Sequence, residues 1–339
     1  MPHDPHPTTS WSHFALLPYI QAMRALLPAL ALACLSACAK PPVDSSPSPT
    51  GASARSLALL RTQLTARISA ETGADVAVWY QDLAGPDTLD IAARTSFHAA
   101  STMKVPVMIE LFRRVDARAL TLDRTIKLEN SFASIVDGSR FTLTATDDSD
   151  AQLYTRVGQD VPLSVLNDRM ITRSSNLATN VLIQLLDAKK INATAHALGA
   201  GQMRVLRGVE DTKAFERGMN NTTTARDLGA LMAAIERGNA ASPRSTELMK
   251  EVLLRQEFNS EIPAGLPAGT PVAHKTGSIT ATLHDAAIVY PKSHSPYVLV
   301  ILTRNIPKEQ VAQLLMADLS RMVYAFAVRD DRPTAKASQ

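Results

Sequence analysis

Three short clusters of polar residues carry the chemistry that this 339-residue chain can offer. The first is Ser101-Thr102-Met103-Lys104. On a helix, positions i and i+3 share a face, so this spacing sets a hydroxyl beside an amine. A serine hydroxyl is a weak nucleophile until a base takes its proton, and a lysine kept dry becomes such a base when its pKa falls. The start of a helix adds free backbone N–H groups that suit a developing oxyanion. The second cluster is Ser174-Ser175-Asn176, just ahead of an apolar run. The third is Lys275-Thr276-Gly277-Ser278, where a cation, two hydroxyls and a glycine that lets a ligand near the backbone would suit a carboxylate. Each cluster alone has a plainer explanation: a capping serine and a surface lysine, a helix cap or turn, and a charged edge strand with a bulge.

Their order changes that reading. S-x-x-K, then S-x-N, then K-T-G is the signature set of class A β-lactamases and penicillin-binding proteins, and the chain resembles this penicillin-recognising serine hydrolase family. Longer stretches extend the likeness: Phe97 to Pro106 around the first cluster, Met170 to Asn180 around the second, Leu266 to Gly277 around the third and His284 to Pro291 beyond it. The resemblance implies that Ser101 attacks a lactam carbonyl and forms an acyl-enzyme. Lys104 would take its proton, directly or through a water. Backbone N–H groups of Ser101 and Ser278 would form the oxyanion hole. Ser174, helped by Lys275, would pass a proton to the leaving nitrogen. Lys275 and Thr276, beside Gly277 and Ser278, would hold the substrate carboxylate, while Asn176 would contact the substrate amide and order Lys104. No metal or organic cofactor is implied.

Release of the acyl group is where the chain departs from the family pattern. Class A enzymes carry a water-activating carboxylate on a loop after the second cluster. Arg207-Gly208-Val209-Glu210-Asp211 falls in the right place, but the usual E-x-x-L-N is missing, and the loop looks short. Glu210 is the chosen base, Asp211 the second choice and Glu216 a distant third. A plain alternative is that all three are loop carboxylates in surface ion pairs. Ser175 stands where the family usually has Asp, a change expected to alter packing and not chemistry. Nothing in the family matches Asn130 to Asp160, which is expected to reshape the rim of the site. Two other readings stay open: a D-Ala-D-Ala carboxypeptidase or other serine amidase or esterase, and a non-catalytic envelope lipoprotein that binds cell-wall peptide. His98, His274 and His284 lie near the clusters but show no ligand spacing, and Ser101 lacks the glycines of G-x-S-x-G. His98 and His274 are expected to pack or to steady neighbours.

The elements that must position these groups are legible from periodicity. Helices are predicted over Ser56 to Glu71, Ser101 to Arg114, Leu163 to Thr172, Leu177 to Leu186, Arg226 to Arg237 and Lys308 to Ala325. Strands are predicted over Asp75 to Asp82, Leu89 to Ala93, His284 to Tyr290 and Tyr297 to Thr303. Thr224 and Asp227 have the layout of a capping box. Strands at both ends around a helical middle indicate an α+β fold, and the resemblance implies that it is of the β-lactamase/transpeptidase kind. Its antiparallel sheet would be built from both chain ends and flanked by helices, with an inserted all-helical subdomain.

Composition narrows the function classes. The chain is 45% apolar and 20% charged, with 35 Lys and Arg against 32 Asp and Glu. A net charge of +3 and the lack of a dense basic run speak against nucleic acid. The only cysteines, Cys34 and Cys38, exclude a four-cysteine metal site by count, and their apolar setting makes a mixed cysteine and histidine site improbable. Met23-Arg24 precedes an uncharged run to Cys38 that has the layout of an export signal. Leu35-Ser36-Ala37-Cys38 resembles a bacterial lipobox, with Cys38 as the lipidated residue. The expected organisation is a signal over residues 1–37, whose first 22 residues are either ahead of a true start at Met23 or a long n-region, and a lipid-anchored, Pro- and Ser-rich tether over 38–54. A catalytic domain follows over 55–328, then a polar tail over 329–339. The expected product is an exported, periplasmic or envelope-anchored monomer acting on a small-molecule β-lactam or a cell-wall peptide.

Overall fold

The computed structural model describes residues 49–329. The expected export signal with Met23, the Cys38 anchor, the first part of the tether and the tail from residue 330 lie outside the described residues.

The first helix, α1 (Pro49–Ser69), starts ahead of Ser56. Proline lacks the N–H that a first helical position leaves unpaired anyway, so Pro49 suits that place. The end of the Pro- and Ser-rich stretch is therefore helical and not extended. Strands β1 (Asp75–Asp82) and β2 (Thr88–Ile91) follow. The chain then leaves the sheet through β3 (Phe97–His98), a 3-10 turn at Ala100–Met103 and α2 (Lys104–Asp116). Two short ribbons come next: β4 (Thr125–Lys127) pairs with β7 (Asp160–Pro162), and β5 (Phe132–Ala133) pairs with β6 (Arg140–Phe141). The inserted part is thus not purely helical. It continues through α3 (Leu163–Thr172), α4 (Asn176–Leu186), α5 (Ala188–Ala197) and α6 (Thr212–Glu216). Strand β8 (Thr222–Thr223) pairs with β3, and α7 (Ala225–Glu236) and α8 (Pro243–Leu254) complete the insert. The chain returns to the sheet as β9 (Val272–Ile279), β10 (Thr282–Val289) and β11 (Tyr297–Arg304), and closes with α9 (Glu309–Ala327).

The sheet runs β2-β1-β11-β10-β9 with antiparallel neighbours throughout, so both chain ends share one sheet as the element order implies. Alternation along the strands divides two cores. Val76, Val78 and Tyr80 of β1 join Leu299 and Ile301 of β11 against Leu60 and Leu64 of α1 and Leu315 and Leu319 of α9. On the other face Ala77, Val298, Val300 and Leu302 pack with Leu228, Leu231 and Met232 of α7. Burial on both faces explains why β11 reads as an almost unbroken apolar run. Strand β9 lies at the sheet edge, and its end bearing the third cluster packs against the 3-10 turn that holds Ser101.

Candidate active site

The turn before α2 is tight. Ala100 has a positive φ of 45°, a region that costs a residue with a Cβ about 1–2 kcal/mol. His98 supports it by accepting the Ala100 N–H on Nδ1 at 3.0 Å. Ser101 therefore sits on a 3-10 turn and not in the body of the predicted helix, while Lys104 opens α2 proper. Their separation in sequence still brings Lys104 Nζ to 2.9 Å from Ser101 Oγ.

Lys104 is completely buried. Its Nζ also lies 2.6 Å from the Ser174 carbonyl, 3.0 Å from Ser174 Oγ and 3.0 Å from Asn176 Oδ1. Burial, reinforced by the Lys275 charge, holds its amine well below the usual lysine range, against the opposing pull of Asp148 and Glu210. A lysine shifted that way offers its lone pair to the serine hydroxyl more readily than an exposed lysine would.

Ser174 also has a positive φ, 58°, in the bend between α3 and α4. Its hydroxyl lies between two lysines, because Lys275 Nζ stands 3.1 Å from the same Oγ. Lys275 is fully buried, and burial pushes its amine down to about 7, with Asp285 and Glu261 working the other way. A chain of polar atoms thus runs Ser101, Lys104, Ser174, Lys275. Gly277 lets β9 come this close: a Cβ there would fall 2.9 Å from Ser101 N and 3.0 Å from Thr102 N. Ser101 and Ser278 both line the clefts on this side of β9.

Ser175 caps α4, with its Oγ accepting the Ala178 N–H. The carboxylate missing from the cluster comes from the stretch that matched nothing in the sequence. Asp148 Oδ2 accepts the N–H groups of Asn176 and Leu177, each at 2.9 Å, and the Tyr154 hydroxyl at 3.0 Å. It lies 3.5 Å from Ser175 Oγ. The Asn130 to Asp160 segment therefore reaches the floor of the site and does more than reshape the rim. The only signal in the sequence was the acidic run around Asp147-Asp148.

The loop bearing Glu210 is clamped on both sides. Asn180 of α4 accepts the Val209 N–H at 2.6 Å and donates to the Val209 carbonyl at 3.0 Å. Asn221 accepts the N–H groups of Leu206 and Arg207 and donates to the Arg207 carbonyl. Arg207 is buried and donates to the carbonyls of Gly208 and Met219. Gly208 allows the Asn180 contact, since a Cβ would meet its Oδ1 at 2.4 Å. Glu210, itself at a φ of 63°, accepts a bond from Asn176 Nδ2 at 2.9 Å. Burial raises its carboxyl above the usual range; the Asn176 bond opposes this. Ser101, Asn176, Glu210 and Ser278 line one cleft of about 460 Å³.

The other two carboxylate candidates do not reach that position as free groups. Asp211 is buried but engaged: it accepts bonds from Ser134 Oγ, the Ile135 N–H and the Ala214 N–H, which caps α6. Glu216 is exposed at the end of α6. His274 shares Asp285, at 3.0 and 3.2 Å from its two oxygens, and faces Asn259. His284 Nε2 lies 2.8 Å from the His98 carbonyl, and burial lowers its pKa to about 4. Among the described residues, no group of three or more His, Cys, Asp or Glu side chains is arranged to hold a metal ion.

A family model described as the beta-lactamase enzyme family matches residues 59–327. The chain is similar to the beta-lactamase AST-1 of Nocardia asteroides, 28% identical over 263 residues, or 76% of this chain and 81% of the relative. It is similar in structure to PBP-A, with a TM-score of 0.68, 27% identity and coverage of 78% of this chain and 94% of that one. A PBP-A variant solved as an acyl-enzyme complex with penicillin G matches at the same TM-score, with 28% identity over 79% of this chain and 96% of that one.

Proposed function

Because the chain belongs to the beta-lactamase enzyme family, we propose that it is a serine hydrolase that opens β-lactam amides through an acyl-enzyme on Ser101. The observation that carries this reading is the fully buried Lys104 amine 2.9 Å from the Ser101 hydroxyl. A neutral amine there takes the hydroxyl proton as Oγ attacks the lactam carbonyl. The backbone N–H groups of Ser101 and Ser278 stabilise the oxyanion, with Gly277 keeping the two segments close. Ser174 Oγ gives its proton to the leaving nitrogen and is re-protonated from Lys104. The Lys275 ammonium and Thr276 hydroxyl hold the substrate carboxylate, and Asn176 orients the substrate amide. In deacylation, Glu210 takes a proton from a water that attacks the acyl carbonyl, and that proton passes by way of Lys104 to the departing Ser101 oxygen, which leaves Glu210 ionised and Lys104 neutral again.

The test is turnover of nitrocefin by wild type and Ser101→Ala, alongside mass detection of the acyl adduct. Hydrolysis by wild type and none by the variant supports the reading; no adduct and no turnover in wild type overturns it.

A second reading, a D-Ala-D-Ala carboxypeptidase that releases a peptidyl group to water but is slow to release a β-lactam acyl group, is favoured by the likeness to PBP-A and by the missing E-x-x-L-N. Stable acylation by labelled penicillin together with release of D-Ala from a pentapeptide supports it. We further propose that the protein is exported and anchored through lipid on Cys38, on the strength of the lipobox-like Leu35-Ser36-Ala37-Cys38. Palmitate labelling that survives Cys38→Ser contradicts the anchor.

A further inference from the structure

A second cleft, of about 320 Å³, opens from Ser101 and Ser174 along β9 toward α9. Three carboxylate residues line it, Asp147, Glu261 and Glu309, and no lysine, arginine or histidine does. Behind this lining lie the buried amines of Lys104 and Lys275, both bonded to Ser174 Oγ. Glu261 differs from the other two. It is only 4% exposed, and its Oε2 has no hydrogen-bond partner. A dry carboxylate oxygen without a donor costs stability, so its retention asks for a ligand or a function. Its neighbour Asp285 is by contrast satisfied by His274 and the Ile262 N–H.

We propose that Glu261 makes this cleft select β-lactams whose substituent next to the ring carboxylate is cationic. The inference rests on the proposed function, because Lys275 and Thr276 must hold the substrate carboxylate for the adjacent arm to run toward Glu261. A cation on that arm is attracted by the three carboxylates; a neutral arm gains nothing, and an anionic one is repelled. The charged groups acting on Glu261 from the packed elements are Lys275 on β9, Asp285 on β10 and Glu309 on α9. Burial, with Asp285 and Glu309 adding to it and Lys275 opposing, raises the Glu261 carboxyl to about 7. The charge that selects is therefore present above that pH.

Cephalothin and cephaloridine provide the test. They share ring, carboxylate and acyl side chain, and differ in the C3 arm, acetoxymethyl in one and cationic pyridiniummethyl in the other. At about pH 8, the ratio of kcat/KM for cephaloridine over cephalothin is expected to fall about 10-fold in Glu261→Gln and to be largely kept in Glu261→Asp. Should Glu261→Gln fail to fold, the same fall is expected in wild type between about pH 8 and pH 5.5, since the shared carboxylate cancels effects on Lys275. Both substrates acylating Ser101 with an unchanged ratio overturns the inference alone. Neither acylating it overturns the proposed function and this inference with it.

Discussion

Asp148 Oδ2 holds the backbone N–H of Asn176 at 2.9 Å, and with it the first turn of the helix that carries the second cluster. Asn176 in turn contacts Lys104 through Oδ1 and Glu210 through Nδ2. The carboxylate thus fixes, from a loop, the residue that joins Lys104 to Glu210. Buried hydrogen bonds to a charged group are each worth about 1.5–3 kcal/mol.

Asp148→Ser should lower kcat/KM about 10- to 100-fold and reduce the melting temperature. Ser175 Oγ lies 3.5 Å from that carboxylate, so an aspartate at position 175 would place its own oxygens near the vacated spot. Adding Ser175→Asp to Asp148→Ser should recover most of the activity. A double variant no better than Asp148→Ser alone contradicts this role.

The two buried lysines predict a pH profile. Lys275 holds a proton below about 7 and loses it above, and only the ammonium attracts a substrate carboxylate. The kcat/KM for a carboxylate-bearing β-lactam, which reports the free enzyme, should therefore fall as pH rises through about 7. Lys275→Arg, always charged, should move that fall to higher pH. Lys104 acts the other way: its amine must be neutral, and its lowered pKa puts the acid limb of acylation below the usual lysine range. A profile unchanged by Lys275→Arg contradicts the assignment.

Gly277→Ala tests the approach of β9 to the nucleophile. The added Cβ would press on Ser101 N and Thr102 N, both backbone atoms that cannot swing aside. Acylation by labelled penicillin should slow about 100-fold, with the edge strand displaced and both cores intact. A variant that acylates at the wild-type rate shows that the close approach has no catalytic value.

These relationships were legible in the sequence to different degrees. Ser101 and Lys104 meet because three residues of helical or near-helical chain fix their separation, and the glycine of K-T-G announces a close approach. The antiparallel sheet followed from strands at both ends of the chain. Asp148 was not legible, because its partners Asn176 and Leu177 lie beyond three intervening elements and only the fold brings them together. The same holds for Asn180 and Asn221, whose amides pair with backbone of the Glu210 loop; an asparagine in a helix or before a strand carries no local mark of such a contact. Helix α8 was missed although Ser242 caps it and Pro243 opens it, since its apolar face is short. Both Glu210 and Asp211 line the cleft with Ser101, and only contacts separate them: Asp211 spends its oxygens on Ser134, Ile135 and the start of α6, while Glu210 accepts from Asn176.

The central claim is hydrolysis through an acyl group on Ser101 that Glu210 helps release. Mass spectrometry of wild type and Glu210→Gln after brief exposure to a β-lactam tests it most directly. The account predicts unmodified wild-type protein with consumed substrate, and a persistent adduct on Ser101 in the variant. Equal adducts in both, or none in either, would contradict it.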